Sequence, residues 1–139
     1  MTEQNNPFHK KKSGVFFFKS SNPYEFYDLL NGVDMEPKQD VWGTLIFPEN
    51  AKLPCPVIVP IHGSAGLREG HHTHMVNLLE AGFAVFRIHH FESRGVISIV
   101  ENQTQITLAT MITDAFRALA LLNKHPDIDK DKIGIMGWS

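Results

Sequence analysis

A chain of 139 residues with 42% hydrophobic and 20% charged residues, ten Phe among them, has the composition of one globular domain with a modest core, which excludes a disordered or low-complexity chain. The formal net charge of −2 gives no electrostatic reason to expect nucleic acid or an anionic membrane as partner, and no run approaches the roughly 18 apolar residues of a membrane span. The single cysteine, Cys55, excludes an intrachain disulfide.

Residues 1–14, with Asn5-Asn6-Pro7 and the basic run Lys10-Lys11-Lys12, read as a flexible N-terminal tail. The apolar stretch Val15-Phe16-Phe17-Phe18 is too short for the roughly 7–15-residue core of a secretory signal and follows too long a polar lead, so the expected location is the cytoplasm. Residues 15–139 are expected to form part of one domain. Strands are predicted over 15–19 and 41–47, the second with Trp42, Thr44 and Ile46 on one face and Val41, Leu45 and Phe47 on the other. Asn31-Gly32 is a turn signal within a connection longer than a two-residue hairpin.

The pattern changes after Pro48-Glu49-Asn50. Cys55, between two prolines, reads as a small buried apolar residue, and Val57-Ile58-Val59-Pro60-Ile61 reads as a strand covered on both faces. A glycine-containing loop over 62–70 leads to a short helix over 75–80, and Gly82 suits a left-handed helix end. A strand over 84–88 and a loop bearing Arg94-Gly95 precede a longer helix over 104–124. Its recurring Ile106, Ala109, Ile112, Phe116, Leu119 and Ala120 predict one buried stripe, and Lys124 and His125 suit its negative end. Residues 133–136 form the final strand. The class is α/β, with two N-terminal strands followed by a parallel βαβαβ sheet carrying helices on both faces.

Sites in open parallel sheets form at the carboxyl ends of strands. Two such ends carry candidate chemistry. Gly137-Trp138-Ser139 after the last strand supplies the first three positions of G-x-S-x-G, the strand-to-helix turn that lifts a nucleophilic serine above the sheet of an α/β-hydrolase. Gly137 is expected to be small because a side chain would collide with the turn. His62-Gly63-Ser64-Ala65-Gly66 follows the strand that begins at Val57. Gly63 would let the backbone approach an oxyanion, with the N–H of Ser64 or Ala65 as donor.

These segments resemble the dienelactone hydrolase family, in the branch with serine as nucleophile. The matching residues are 60–66, Glu80-Ala81-Gly82-Phe83-Ala84-Val85, Arg94-Gly95, Asp114-Ala115-Phe116-Arg117-Ala118-Leu119, and 127–139. The resemblance implies an incomplete α/β-hydrolase fold and a cofactor-free hydrolase of small-molecule carboxylic esters or lactones. Ser139 would form the acyl intermediate and Ser64 would help bind the oxyanion. The family's Asp and His follow the serine, so this chain alone is expected to be inactive; the alternative is a non-catalytic doubly wound binding domain or a relic. His89-His90 stands where relatives carry Asp, which points to an altered pocket including His62, His89 and Arg94.

His62 reads chiefly as a structural residue of the loop. His71, His72 and His74 have imidazoles that could bind zinc, with His89 and His90 as further ligands, but no matching Cys or Glu pair accompanies them, so no metal is assigned. Arg68 and Arg94 could grip a substrate carboxylate, although bracing a loop is the expected role. Glu69, Glu92, Asp114 and Asp127 read as solvated or capping residues, and Met75, Met111 and Met136 as core.

Overall fold

The computed structural model describes residues 13–139; most of the expected tail, residues 1–12, lies outside them. Five strands form one sheet in the order β1-β2-β4-β3-β5, with β1 over Gly14–Ser20, β2 over Gln39–Ile46, β3 over Cys55–Ile61, β4 over Ala84–Ile88 and β5 over Ile128–Gly137. β1 runs antiparallel to β2, and β2 antiparallel to β4, with Gly43 opposite Ile88. β3 is parallel to both β4 and β5, so the carboxyl ends of all three emerge together.

Alternation along β2 is as expected. Val41 and Leu45 are buried in the core while Ile46 is exposed. Gly43 leaves room for Phe86, whose ring atom Cζ would lie 2.2 Å from a Cβ at that position. Cys55 is fully buried.

Helix α1, Phe26–Asn31, was not expected from the sequence. Glu25 and Asp28 form a reciprocal capping box at its start, and Gly32, read as a turn, is its left-handed cap at φ 71°. No residue of α1 is buried, so hydrophobic periodicity had nothing to report.

Helix α2, Glu69–Glu80, packs against β4 and begins six residues earlier than its apolar pattern, and Gly82 after it is left-handed at φ 96°. Helix α3, Leu108–Leu122, is shorter than expected because Thr107 caps it, its Oγ1 accepting the Thr110 N–H at 3.2 Å. Lys124 and His125 therefore lie past the helix. The buried stripe also differs from expectation. Ala109, Met111, Asp114, Ala115, Ala118 and Leu122 face inward, whereas Ile112 is 38% and Phe116 64% exposed. The helix has two apolar stripes, and the one that packs on Val57, Val59, Phe86 and Ile88 is the one containing Asp114. Val85, turned to the opposite face by alternation, is buried too. Among the described residues no helix is long and apolar enough to cross a membrane.

Candidate active site

The carboxyl end of β3 passes into His62-Gly63-Ser64-Ala65-Gly66, and that of its neighbour β5 into Trp138-Ser139. The ladder continues one step beyond the strands, the Trp138 N–H donating to the Ile61 carbonyl at 3.0 Å. A Cβ at Gly63 would lie 3.2 Å from the Trp138 carbonyl oxygen and 3.5 Å from Ser139 Cα. The two segments touch backbone to backbone, and only glycine leaves that approach undisturbed.

Among the described residues a Cβ at Gly137 would meet Ile61 O at an ordinary 3.7 Å. Gly137 is the last residue of a regular strand, and the tight point is supplied by the facing loop.

The loop is tied down from several sides. Gly66, at φ 78°, donates to Gly63 O at 3.0 Å and closes a turn around Ser64 and Ala65. Ser64 O accepts the Ile99 N–H at 2.8 Å and the Ser98 hydroxyl at 3.3 Å. Among the described residues the N–H groups of Ser64 and Ala65 have no acceptor, so both remain available for a ligand oxygen. Donors that are fixed yet unengaged suit a charge that appears only during reaction.

Ser64 and Ser139 share the wall of one cavity of about 670 Å3. That volume is within the roughly 300–1,000 Å3 typical of small-molecule sites. The rest of the wall is mainly apolar, drawn from Ile99, Ile106, Met111, Phe116, Ile135 and Trp138. The exposed stripe of α3 is therefore cavity wall. In the sequence, apolar residues at helical spacing look the same whether they line a cavity or fill a core.

His62 lines this cavity with its backbone neighbours. It is buried, and its Nδ1 is 2.9 Å from Gly63 O. Burial pushes its pKa down, opposed by the Gly63 hydrogen bond, and neighbouring His90 pushes it down further.

His89 and Arg94, expected near the pocket, do not line it. His89 projects from the sheet face that carries Trp42 and Thr44, stacking on Trp42 with centroids 5.9 Å apart and placing Nε2 2.8 Å from Thr44 Oγ1. Burial, then Arg87, lowers its pKa.

Arg94 is committed to Asp114. Its Nη1 donates to Oδ2 at 2.8 Å and its Nη2 to Oδ1 at 2.9 Å, a bidentate fork. The remaining donors go to His90 O at 2.9 Å, Ser21 O at 3.4 Å and Asn22 Oδ1 at 2.7 Å. No donor is left for a substrate carboxylate. Asp114 is not solvated, as its residue type suggested, but 0% exposed, because Arg94, His90 and Ser20 all donate to it. Asp127 is likewise buried, while Glu92 pairs with Arg87 at 2.7 Å.

His71 stacks on Trp138 with centroids 4.3 Å apart and planes 11° apart, and its Nδ1 accepts the Arg68 N–H at 3.0 Å. His74 lies 6.0 Å from the same indole. Among the described residues no group of three or more His, Cys, Asp or Glu could hold a metal ion.

No family model matches the sequence, and no curated protein matches it. Solved structures do. One is assigned as a candidate dienelactone hydrolase from Klebsiella pneumoniae, with TM-score 0.58 and 14% identity, covering 90% of this chain and 50% of that one. Another is a dienelactone hydrolase-like promiscuous phosphotriesterase from metagenomic libraries, with TM-score 0.54 and 19% identity, covering 89% of this chain and 49% of that one. A third is Est1E from Butyrivibrio proteoclasticus with ferulic acid bound, with TM-score 0.56 and 24% identity, covering 72% of this chain and 39% of that one. The chain spans half or less of the length of each. At these identities the likeness establishes the fold, which is that of the α/β-hydrolases.

Proposed function

We propose that this chain, an α/β-hydrolase fold by its architecture, carries the nucleophile and oxyanion loop of a serine hydrolase acting on small-molecule carboxylic esters or lactones. The hydroxyl oxygen of Ser139 attacks the carbonyl carbon, and the carbonyl electron pair moves onto oxygen. The N–H of Ser64 or Ala65 receives that oxyanion. Collapse breaks the bond to the alkoxy oxygen, which leaves as the alcohol carrying the proton that Ser139 gave up through a base, and the acyl-Ser139 ester is then released by water. One such donor is worth about 10²–10³ in rate.

The observation that carries this reading is the backbone contact between the Gly63 loop and Trp138-Ser139, with both serines in the wall of one apolar cavity. Supporting it, the Ser64 and Ala65 N–H groups are free while their loop is pinned.

Among the described residues nothing hydrogen-bonds to the Ser139 side chain. No described residue is therefore assigned as the base or its orienting acid. The same observation favours a second reading, in which the cavity binds an apolar small molecule without transforming it.

Labelling with a fluorophosphonate separates the two. The natural gene product should react covalently and hydrolyse p-nitrophenyl butyrate, and Ser139→Ala should lose both. Labelling that survives in Ser139→Ala, or that is absent from the unaltered protein, would sink the hydrolase reading.

A further inference from the structure

Behind the Gly63 loop lies a pair of buried imidazoles. His90, the second residue past β4, is 0% exposed and its Nδ1 is 2.8 Å from Asp114 Oδ2. The carboxylate only accepts, so Nδ1 carries the hydrogen and a neutral His90 presents a lone pair at Nε2. His62 is fixed in the same way, because Gly63 O must accept from its Nδ1. Both Nε2 atoms are buried, and among the described residues neither has a partner.

The two rings meet edge to face, centroids 5.5 Å apart and planes at 89°, and His62 also lies against Phe91 at 4.5 Å. A continuous line of contacts thus runs from Asp114 on α3 through His90 and His62 to the Gly63 carbonyl. That carbonyl also closes the turn that holds Ser64 and Ala65.

We propose that His90, oriented by Asp114, is a positioning residue for the loop that presents the Ser64 and Ala65 N–H groups, acting through the His62 ring. The inference rests on the hydrolase reading of that loop. With both rings neutral, each tautomer is fixed by its Nδ1 bond and the His62 ring is wedged between His90 and Phe91. A proton added to either Nε2 becomes a buried charge beside a second imidazole, with no acceptor to receive it. Charge on the His90 ring thus acts to lower the pKa of His62.

Other charged groups around the pair act in both directions. Arg87 from β4 and Glu92 from the following turn face His62, and their effects on it oppose each other. Asp114, which accepts from His90, is already forked by Arg94, and His89 is adjacent in the chain. Proton uptake releases the wedge and loosens the loop.

Long-range 15N–1H spectra of the histidine side chains test the first requirement directly. His62 and His90 should both appear as Nδ1-protonated tautomers at neutral pH, and an Nε2-protonated form of either overturns the proposal. Amide spectra of His90→Phe and His90→Gln test the second. The Phe variant should shift the Ser64 and Ala65 signals and raise the His62 titration midpoint. The Gln variant, which can still donate to Asp114, should restore the loop signals towards those of the unaltered chain.

Ser64 and Ala65 signals that ignore both substitutions in a folded protein overturn the proposal. If His90→Phe does not fold, the tautomers of the unaltered chain and the Gln variant still decide. None of these readouts needs turnover, so they stand apart from the Ser139→Ala labelling result.

Discussion

The two polar centres beside α3 are opposites. Around Asp114 every carboxylate oxygen is spoken for, every Arg94 donor is placed, and water is excluded. Around Ser139, one strand away, N–H groups are left without acceptors and apolar side chains face an open cavity. Completeness marks the first as architecture, since a buried charge is tolerable only when paired and hydrogen-bonded. Among the described residues the second is left open in a fixed geometry, which is what the site proposed above requires.

Substitutions should separate the two regions by stability. The largest loss is expected for Asp114→Ala, which strands Arg94 and His90 in the interior. Breaking a buried pair in this way costs about 3–5 kcal/mol, to be read from the urea midpoint. A loss comparable with that of Ser139→Ala, expected within about 0.5 kcal/mol, would erase the distinction. Next comes Gly43→Ala, where the new Cβ would overlap the Phe86 ring in the core. Overpacking of this kind costs about 1–3 kcal/mol, and a neutral result in the same urea titration would mean that Phe86 has room to move.

Acid should act first on buried histidines and only later on Asp114. Burial depresses the pKa of His62 and of His89, so the unfolded chain takes up protons more readily than the folded one. Their contribution to stability is full above about pH 6.5 and is lost as pH falls through the depressed folded values. For Asp114, burial would raise the pKa, but hydrogen bonds from His90 and Arg94 more than offset it and the net shift is downward. Its contribution is present above about pH 3.9 and disappears only as pH falls through its lower folded value. A melting-temperature series from pH 8 to 3 should therefore decline in two stages, and a single stage would show that one set of groups dominates.

The smallest effect is expected for Phe116→Gln on the cavity wall. Its stability should change by less than about 0.5 kcal/mol, with any larger loss in the urea midpoint showing that the wall belongs to the core.

What could be read from the sequence follows the same division. Strands were legible because alternation in 41–47 and the apolar run at Val57 report burial directly. The proposed nucleophile and loop were legible as short patterns at strand ends. Helix α1 was not, since its start and stop are written in Glu25, Asp28 and Gly32 rather than in apolar spacing. The face of α3 could not be chosen from spacing alone, because both stripes are apolar. The choice depends on Asp114, and an aspartate reads as solvated until Arg94, twenty residues away in sequence, is brought to it by the fold. For the same reason the approach of Gly63 to Trp138 and Ser139 was not legible, since crowding between two strands' exits is a tertiary property.

Both tryptophans of the chain rest on imidazoles, Trp42 on His89 and Trp138 on His71. An imidazolium at such range accepts an electron from excited indole, so protonating either histidine should dim the emission of its own partner. The molecule thereby carries two built-in optical gauges, one on the outer sheet face and one beside Ser139. A Trp42→Phe variant that also carries His74→Gln isolates the second, and its brightness during acidification would follow the charge on His71 without any added dye.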